Sequence, residues 1–175
     1  MLPWESSLCS LWIGVLGVAS THARVEASYY HGVWLSLPNF DDLTPYATDS
    51  FHLIDSDTTS QADGMFTSGR GNNLGVVFRG MLRFPKAGPY TLYTFSDDGS
   101  QLFFDGILTV DNNGEHPAEE QSGDINIVEA NARHQIRVDY FENTEEDTEI
   151  LKVLWRGPGI GQYHLSMQQA KLKGN

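Results

Sequence analysis

Apolar positions in this chain recur in short alternating runs, and no stretch after Ala27 sustains a 3.6-residue period. The runs read as strands. Ser28 to Leu35 is aromatic and β-branched, and Leu74 to Phe84 is a second run with Gly80 as a candidate bulge or close-approach point. Pro85 to Gly88 is a turn with Tyr90 to Ser96 directly after it, so these two runs are expected to pair antiparallel. Gln101 to Phe104 and Ile107 to Val110 flank Asp105-Gly106, the dipeptide that suits a type I′ hairpin because both central residues need positive φ. Asp111 to Gly114 predicts another turn. Ile125 to Glu129, Gln135 to Phe141 and Ile150 to Arg156 complete the set. In Gln135 to Phe141, Ile136, Val138 and Tyr140 share one face, and Arg137 and Asp139 the other. Many short strands punctuated by Gly and Pro predict an all-β, antiparallel sandwich or barrel. Ser36 to Gly64 is polar and poorly patterned and reads as a long loop.

The chain has 175 residues, enough for one domain with a real core. With 40 % hydrophobic and 19 % charged residues it is an ordinary globular mixture. Lys and Arg number 11 against 23 Asp and Glu, a net charge of −12, which disfavours nucleic acid and anionic membranes and suits cations. The single cysteine, Cys9, makes no zinc or redox pair.

Leu8 to Val18 is uncharged and apolar but short of the ~20 residues of a membrane helix, and no other stretch approaches that length. Residues 1–23 therefore read as a signal peptide, with cleavage after Ala23 or Ala27. The departure from the usual pattern is an n-region without Lys or Arg and with Glu5. A single domain over 28–165, a tail over 166–175, and a secreted, extracellular or periplasmic location follow from this reading.

Candidate chemistry gathers at Ser96-Asp97-Asp98-Gly99-Ser100. Adjacent carboxylates at a tight turn either form an Asx-turn before Gly99 or hold a cation between them. Calcium takes six to eight oxygens at about 2.3–2.6 Å, and sugar diols can complete the shell. Glu142 to Glu149 is a second acidic stretch, a solvated hairpin tip or another wall of the same site. Asp55 to Thr59 begins like an EF-hand loop but has Ser60 and Phe66 where Gly and Glu are required. The six histidines lack zinc spacing, and no nucleophile elbow or P-loop is present. A hydrolase built on Asp97 and Asp98 is disfavoured, because neighbouring residues cannot straddle a glycosidic bond.

The stretch from Phe78 to His116 resembles the PA-fourteen domain. The pieces are Gly80, Phe84-Pro85, Gly88-Pro89-Tyr90-Thr91, Ser96 to Ser100, Leu102, Asp105-Gly106, Val110-Asp111-Asn112, Gly114 and His116. His134-Gln135-Ile136, Tyr140-Phe141-Glu142 and Leu154-Trp155 fit the closing strands, and Tyr29-Tyr30, Trp34 and Leu37 to Phe40 the opening. The resemblance implies a β-sandwich or barrel, usually extracellular and often appended to glycosidases, adhesins and toxins, and the chain itself is expected not to be an enzyme. In sugar-binding members such as fungal flocculins, the aspartate pair is joined by a cis peptide and chelates calcium, which then binds vicinal sugar hydroxyls. Asp97 and Asp98 match that pair. The second ligand set would be the Asn143 side chain with the carbonyls of Glu145 and Asp147, or Glu142 instead. Trp34 and His116 are candidates for contacting the glycan or polysaccharide. Asn131-Ala132, where a Gly is expected, and Asn113-Gly114-Glu115 depart from the family pattern. Some members are processing or assembly segments without sugar binding, which leaves an interaction or spacer domain as the alternative.

Overall fold

The computed structural model describes residues 24–58, 64–143 and 149–164. The signal-peptide reading of 1–23, the tail beyond 165, Glu145 and Asp147 lie outside the described residues. The chain forms β1 (Val25–His31), β2 (Ala47–Phe51), β3 (Asp55–Thr58), β4 (Leu74–Arg83), β5 (Gly88–Asp97) and β6 (Ser100–Phe104). It continues with β7 (Ile107–Asn112), β8 (Glu119–Ile127), β9 (Arg133–Glu142), β10 (Glu149–Gly157) and β11 (Ile160–His164). One sheet runs β2-β1-β4-β9-β6-β7, and the other runs β11-β10-β5-β8 with β3 also on β10. Every pairing is antiparallel. The all-β sandwich expected from the strand pattern is what forms. Among the described residues, no helix is long and apolar enough to cross a membrane.

Alternation places the core. Ala27 and Tyr29 of β1, Val76 and Phe78 of β4, and Ile136, Val138 and Tyr140 of β9 point inward. They meet Tyr90 and Leu92 of β5 and Leu151, Val153 and Trp155 of β10. Arg137 and Asp139 take the opposite face of β9, with Arg137 Nε and Nη2 donating to the two Asp139 carboxylate oxygens at 2.7 and 2.9 Å.

The expected pairing of the Leu74–Phe84 and Tyr90–Ser96 runs is corrected by the structure. Both neighbours of β4 are taken by β1 and β9, while β5 lies between β8 and β10 in the other sheet. The turn at 85–88 is therefore a crossing between layers, clamped by Phe84 packing on Tyr90 with ring centroids 4.7 Å apart. Gly80 is not a bulge, since the β4–β9 register runs unbroken through Gly80 opposite Ile136. Register shifts fall instead between Leu102 and Phe103 of β6 and between Trp155 and Gly157 of β10. At the β6–β7 hairpin Asp105 and Gly106 have φ of 47° and 81°, as a type I′ turn requires.

The segment 36–64, expected as loop, contains β2 and β3. Both pair on one side only, and β2 is largely exposed, so neither needs an apolar face. Ahead of them the chain lies over the outer face of the first sheet. Asn39 caps a single 3-10 turn over Phe40–Asp42, which drops the buried Phe40 ring onto Tyr30 and Trp34, with centroids 4.9 and 5.7 Å away. Gly75 makes this possible, because a Cβ there would collide with the Phe40 ring.

Two outcomes follow. Gly75→Ala is expected to destabilise the domain by about 1–3 kcal/mol through overpacking. Phe84→Ala, which empties the contact between layers, is expected to cost about 3–5 kcal/mol. Urea denaturation midpoints check both, and an unchanged midpoint for Phe84→Ala would contradict the packing described.

Candidate cation and ligand site

Asp97 ends β5 in one sheet and Ser100 begins β6 in the other, so Asp98-Gly99 is a second crossing between layers. The Asp97–Asp98 peptide is cis, as the family resemblance implied. Gly99 is required, since a Cβ there would meet the Phe141 ring and the backbone of Gly114. Its carbonyl accepts from the Phe141 N–H at 3.0 Å. Below the turn the Ser96 and Ser100 hydroxyls are hydrogen-bonded at 2.8 Å, and Asn112 Nδ2 donates to Ser96 Oγ at 3.1 Å.

Asp97, Asp98 and Glu142 each bring a carboxylate oxygen to one point, with these oxygens within 4.8 Å of one another. Asp98 and Glu142 are buried, at 4 % and 2 % exposure. The Asp98 carboxylate is held at both oxygens: the His116 N–H donates to Oδ1 at 3.3 Å and the Asn143 N–H to Oδ2 at 3.1 Å. The Tyr140 hydroxyl donates to the Asp97 carbonyl at 2.6 Å and lies 3.2 Å from Glu142 Oε2. Burial, and then the Glu142 charge, push the Tyr140 phenol well above its ordinary value, so it stays a donor.

Three carboxylates this close repel one another unless positive charge lies among them. The donors are all hard oxygens, the set that suits hard divalent cations, calcium among them. Asp97, Asp98 and Glu142 fit calcium on this chemistry.

The other expected residues are placed as follows. Asn143 is at the site, but its side chain is turned to the loop before β2. Asn143 Oδ1 accepts from the Trp34 N–H at 2.9 Å, and Nδ2 donates to the Trp34 carbonyl and, at 3.0 Å, to Glu115 Oε1. The structure thus brings Glu142 into the acidic cluster, while Asn143 fastens the neighbouring loop. Trp34 packs its ring on Phe40 as Val33 and Leu35 on either side stand 70 % and 75 % exposed.

His116 reaches the site through its backbone. Its ring nitrogens face the Pro117 and Asn112 carbonyls, each at 3.0 Å. Burial works against the imidazolium, but the Asn112 and Pro117 carbonyls, with the charges of Glu119 and Asp98, outweigh it and raise the His116 pKa. Both carbonyls accept, so the doubly protonated ring satisfies both contacts.

Sequence reasoning placed Tyr140 only as an inward-facing residue. The available signal was its spacing from Glu142: two residues apart on a strand, they share a face. Val33 and Leu35 carried no signal, because exposure cannot be read from an apolar run that ends in a loop.

The family model of the PA14 domain matches residues 31–167. Among curated proteins, the anti-sigma-I factor RsgI3 of Acetivibrio thermocellus is 33 % identical over 66 residues, which is 38 % of this chain and 10 % of that protein. Among solved structures, an anti-sigma factor domain-containing protein superposes with a TM-score of 0.70 at 23 % identity, over 85 % of this chain and 47 % of that one. A PA14 sugar-binding domain from an RTX adhesin superposes with a TM-score of 0.62 at 16 % identity, over 83 % of this chain and 96 % of that one. The chain thus corresponds to a part of the longer proteins and to nearly the whole of the adhesin domain. With a family match over most of its length and the two-layer architecture in common, the chain belongs to the PA14 domain family.

Proposed function

We propose that this domain binds carbohydrate outside the cytoplasm through a calcium ion held by Asp97, Asp98 and Glu142. The observation that carries the reading is the convergence of those three carboxylates at the crossing between the sheets, two of them buried. The similarity to a domain described as sugar-binding adds to it. Calcium would offer its remaining positions to neighbouring hydroxyls of a sugar. The protein's own part is to hold the carboxylates. The His116 and Asn143 N–H groups fix Asp98, Tyr140 fixes the Asp97 carbonyl, and the Trp34 loop, tied down by Asn143, forms the adjoining wall.

The same geometry supports a non-catalytic role. Glycosidases place one carboxyl on each side of the scissile bond, separated by about 5–9.5 Å. Here both Asp98 oxygens are bonded to peptide N–H groups and Glu142 is buried, so neither can approach a bond from an opposite face.

Calorimetric titration with calcium, repeated in the presence of a mixed glycan panel, tests the proposal. One site is expected in the wild type, and Asp98→Asn is expected to weaken it at least about tenfold, about 1.4 kcal/mol. Glycan binding should vanish in chelator. Sugar binding that is equal in chelator would remove the ion from the account, and a domain that takes neither calcium nor any glycan would be the spacer. A separate outcome concerns His116. Its raised pKa means a stabilising contribution that is complete below the ordinary value of 6.5 and is lost as pH rises through the folded value. Thermal melts of the calcium-free domain between about pH 5 and about pH 8 should show this loss, and His116→Gln should flatten it.

A further inference from the structure

The outer face of the first sheet carries five of the chain's 11 basic residues, all arginine: Arg24, Arg79, Arg83, Arg133 and Arg137. Strand register makes this more than a tally. Arg79 lies directly opposite Arg137 on β4 and β9, and Arg83 directly opposite Arg133. Like charges in opposed positions destabilise a sheet, with Cβ atoms about 4.5–5.5 Å apart.

The first pair is resolved within the chain. Arg79 Nη2 and Arg137 Nη1 each take one oxygen of Asp41, at 2.7 and 2.8 Å. The two guanidinium groups hold the Asp41 carboxyl below its ordinary range, the Arg137 hydrogen bond leading. The second pair repeats the arrangement on the same face, four residues farther along each strand, without an acid. Arg83 donates to the Asn131 carbonyl, and the Arg133 side chain makes no ion pair or hydrogen bond among the described residues. Beside it runs an open groove of about 330 Å³ lined by Arg24, Arg79, Met81, Arg133 and Gln135, with Glu26 its one carboxylate. A second groove of about 290 Å³ shares Arg79 and Gln135 with the first and ends on Arg137 and Phe103.

We infer that this face is a second binding site, for the carboxylates of an acidic, uronate-bearing glycan chain, with Arg83 and Arg133 gripping one carboxylate as Arg79 and Arg137 grip Asp41. The guanidinium fork matches a carboxylate in plane. The arginines stand on the face of the sheet and not at an edge, and β4 and β9 pair with each other through Arg83 and Arg133. An acidic peptide would gain nothing from strand addition here, whereas a ring that presents carboxylates and hydroxyls needs only side chains. The site is separate from the cation site, since Arg133 and Glu142 are the two ends of β9, about 30 Å apart along the strand. It requires no calcium.

The test is titration of oligomannuronate, against neutral oligomannose of equal length, into the domain in excess chelator. The uronate oligomer alone should bind, more weakly as salt is raised. The Arg83→Gln/Arg133→Gln variant should lose at least tenfold in affinity while melting close to wild type, because the relieved repulsion offsets the lost hydrogen bond to Asn131. Asp98→Asn should bind as the wild type does, so failure of the calcium reading leaves this result intact. No uronate binding in chelator, or equal binding by the double arginine variant, overturns the inference. Equal binding of polyglutamate overturns the choice of a glycan. Self-association in sedimentation that the double variant abolishes would assign the face to a second copy of the chain.

Discussion

A carboxylate withdrawn from water has to be met by hydrogen-bond donors or by positive charge. In this domain that requirement falls on the few residues by which the chain leaves one sheet and enters the other. Asp98 meets it with two peptide N–H groups from different elements, those of His116 before β8 and Asn143 after β9. Three stretches distant in sequence are brought into register around one side chain. The serine pair, Asn112 and Tyr140 continue the arrangement inward, so the polar cluster merges with the core below it. The acidic turn gathers like charges at the crossing, where the proposed cation would offset them.

Much of this was legible in the sequence where local chemistry and tertiary role coincide. The Asp105-Gly106 hairpin forms because its backbone conformation is required whatever surrounds it. The alternation in β9 survives because one of its faces is buried. The aspartate pair was legible because its neighbours on both sides are strands. What escaped reading was pairing and parity. Turn chemistry at 85–88 announces a reversal but not whether the chain returns to the same sheet, and the Phe84–Tyr90 contact that decides it is not a local preference. Strands β2 and β3 escaped because an edge strand needs no apolar face. Whether Glu142 or Asn143 turns into the site depends on how far β9 extends. Carried one residue past Phe141, the alternation puts Glu142 in phase with Tyr140.

The acidic cluster and the arginine-bearing face are linked by one stretch of chain. Asn143 holds the backbone of Trp34 beside the cation site, Phe40 is seated in the gap left by Gly75, and Asp41 ends between the arginines. The segment from 32 to 42 is thus fixed at both ends, by hydrogen bonds to one site and ion pairs at the other.

The pair of hydrogen bonds between the Asn143 side chain and the Trp34 backbone has a consequence for the loop's tolerance of substitution. They grip the backbone N–H and carbonyl of Trp34 and not the side chains on either side, so the loop keeps its path whatever occupies positions 33 and 35. Val33 and Leu35 point to solvent and contribute little to the core. Substitution at these two positions is therefore expected to change the surface beside the acidic cluster while the loop keeps its path.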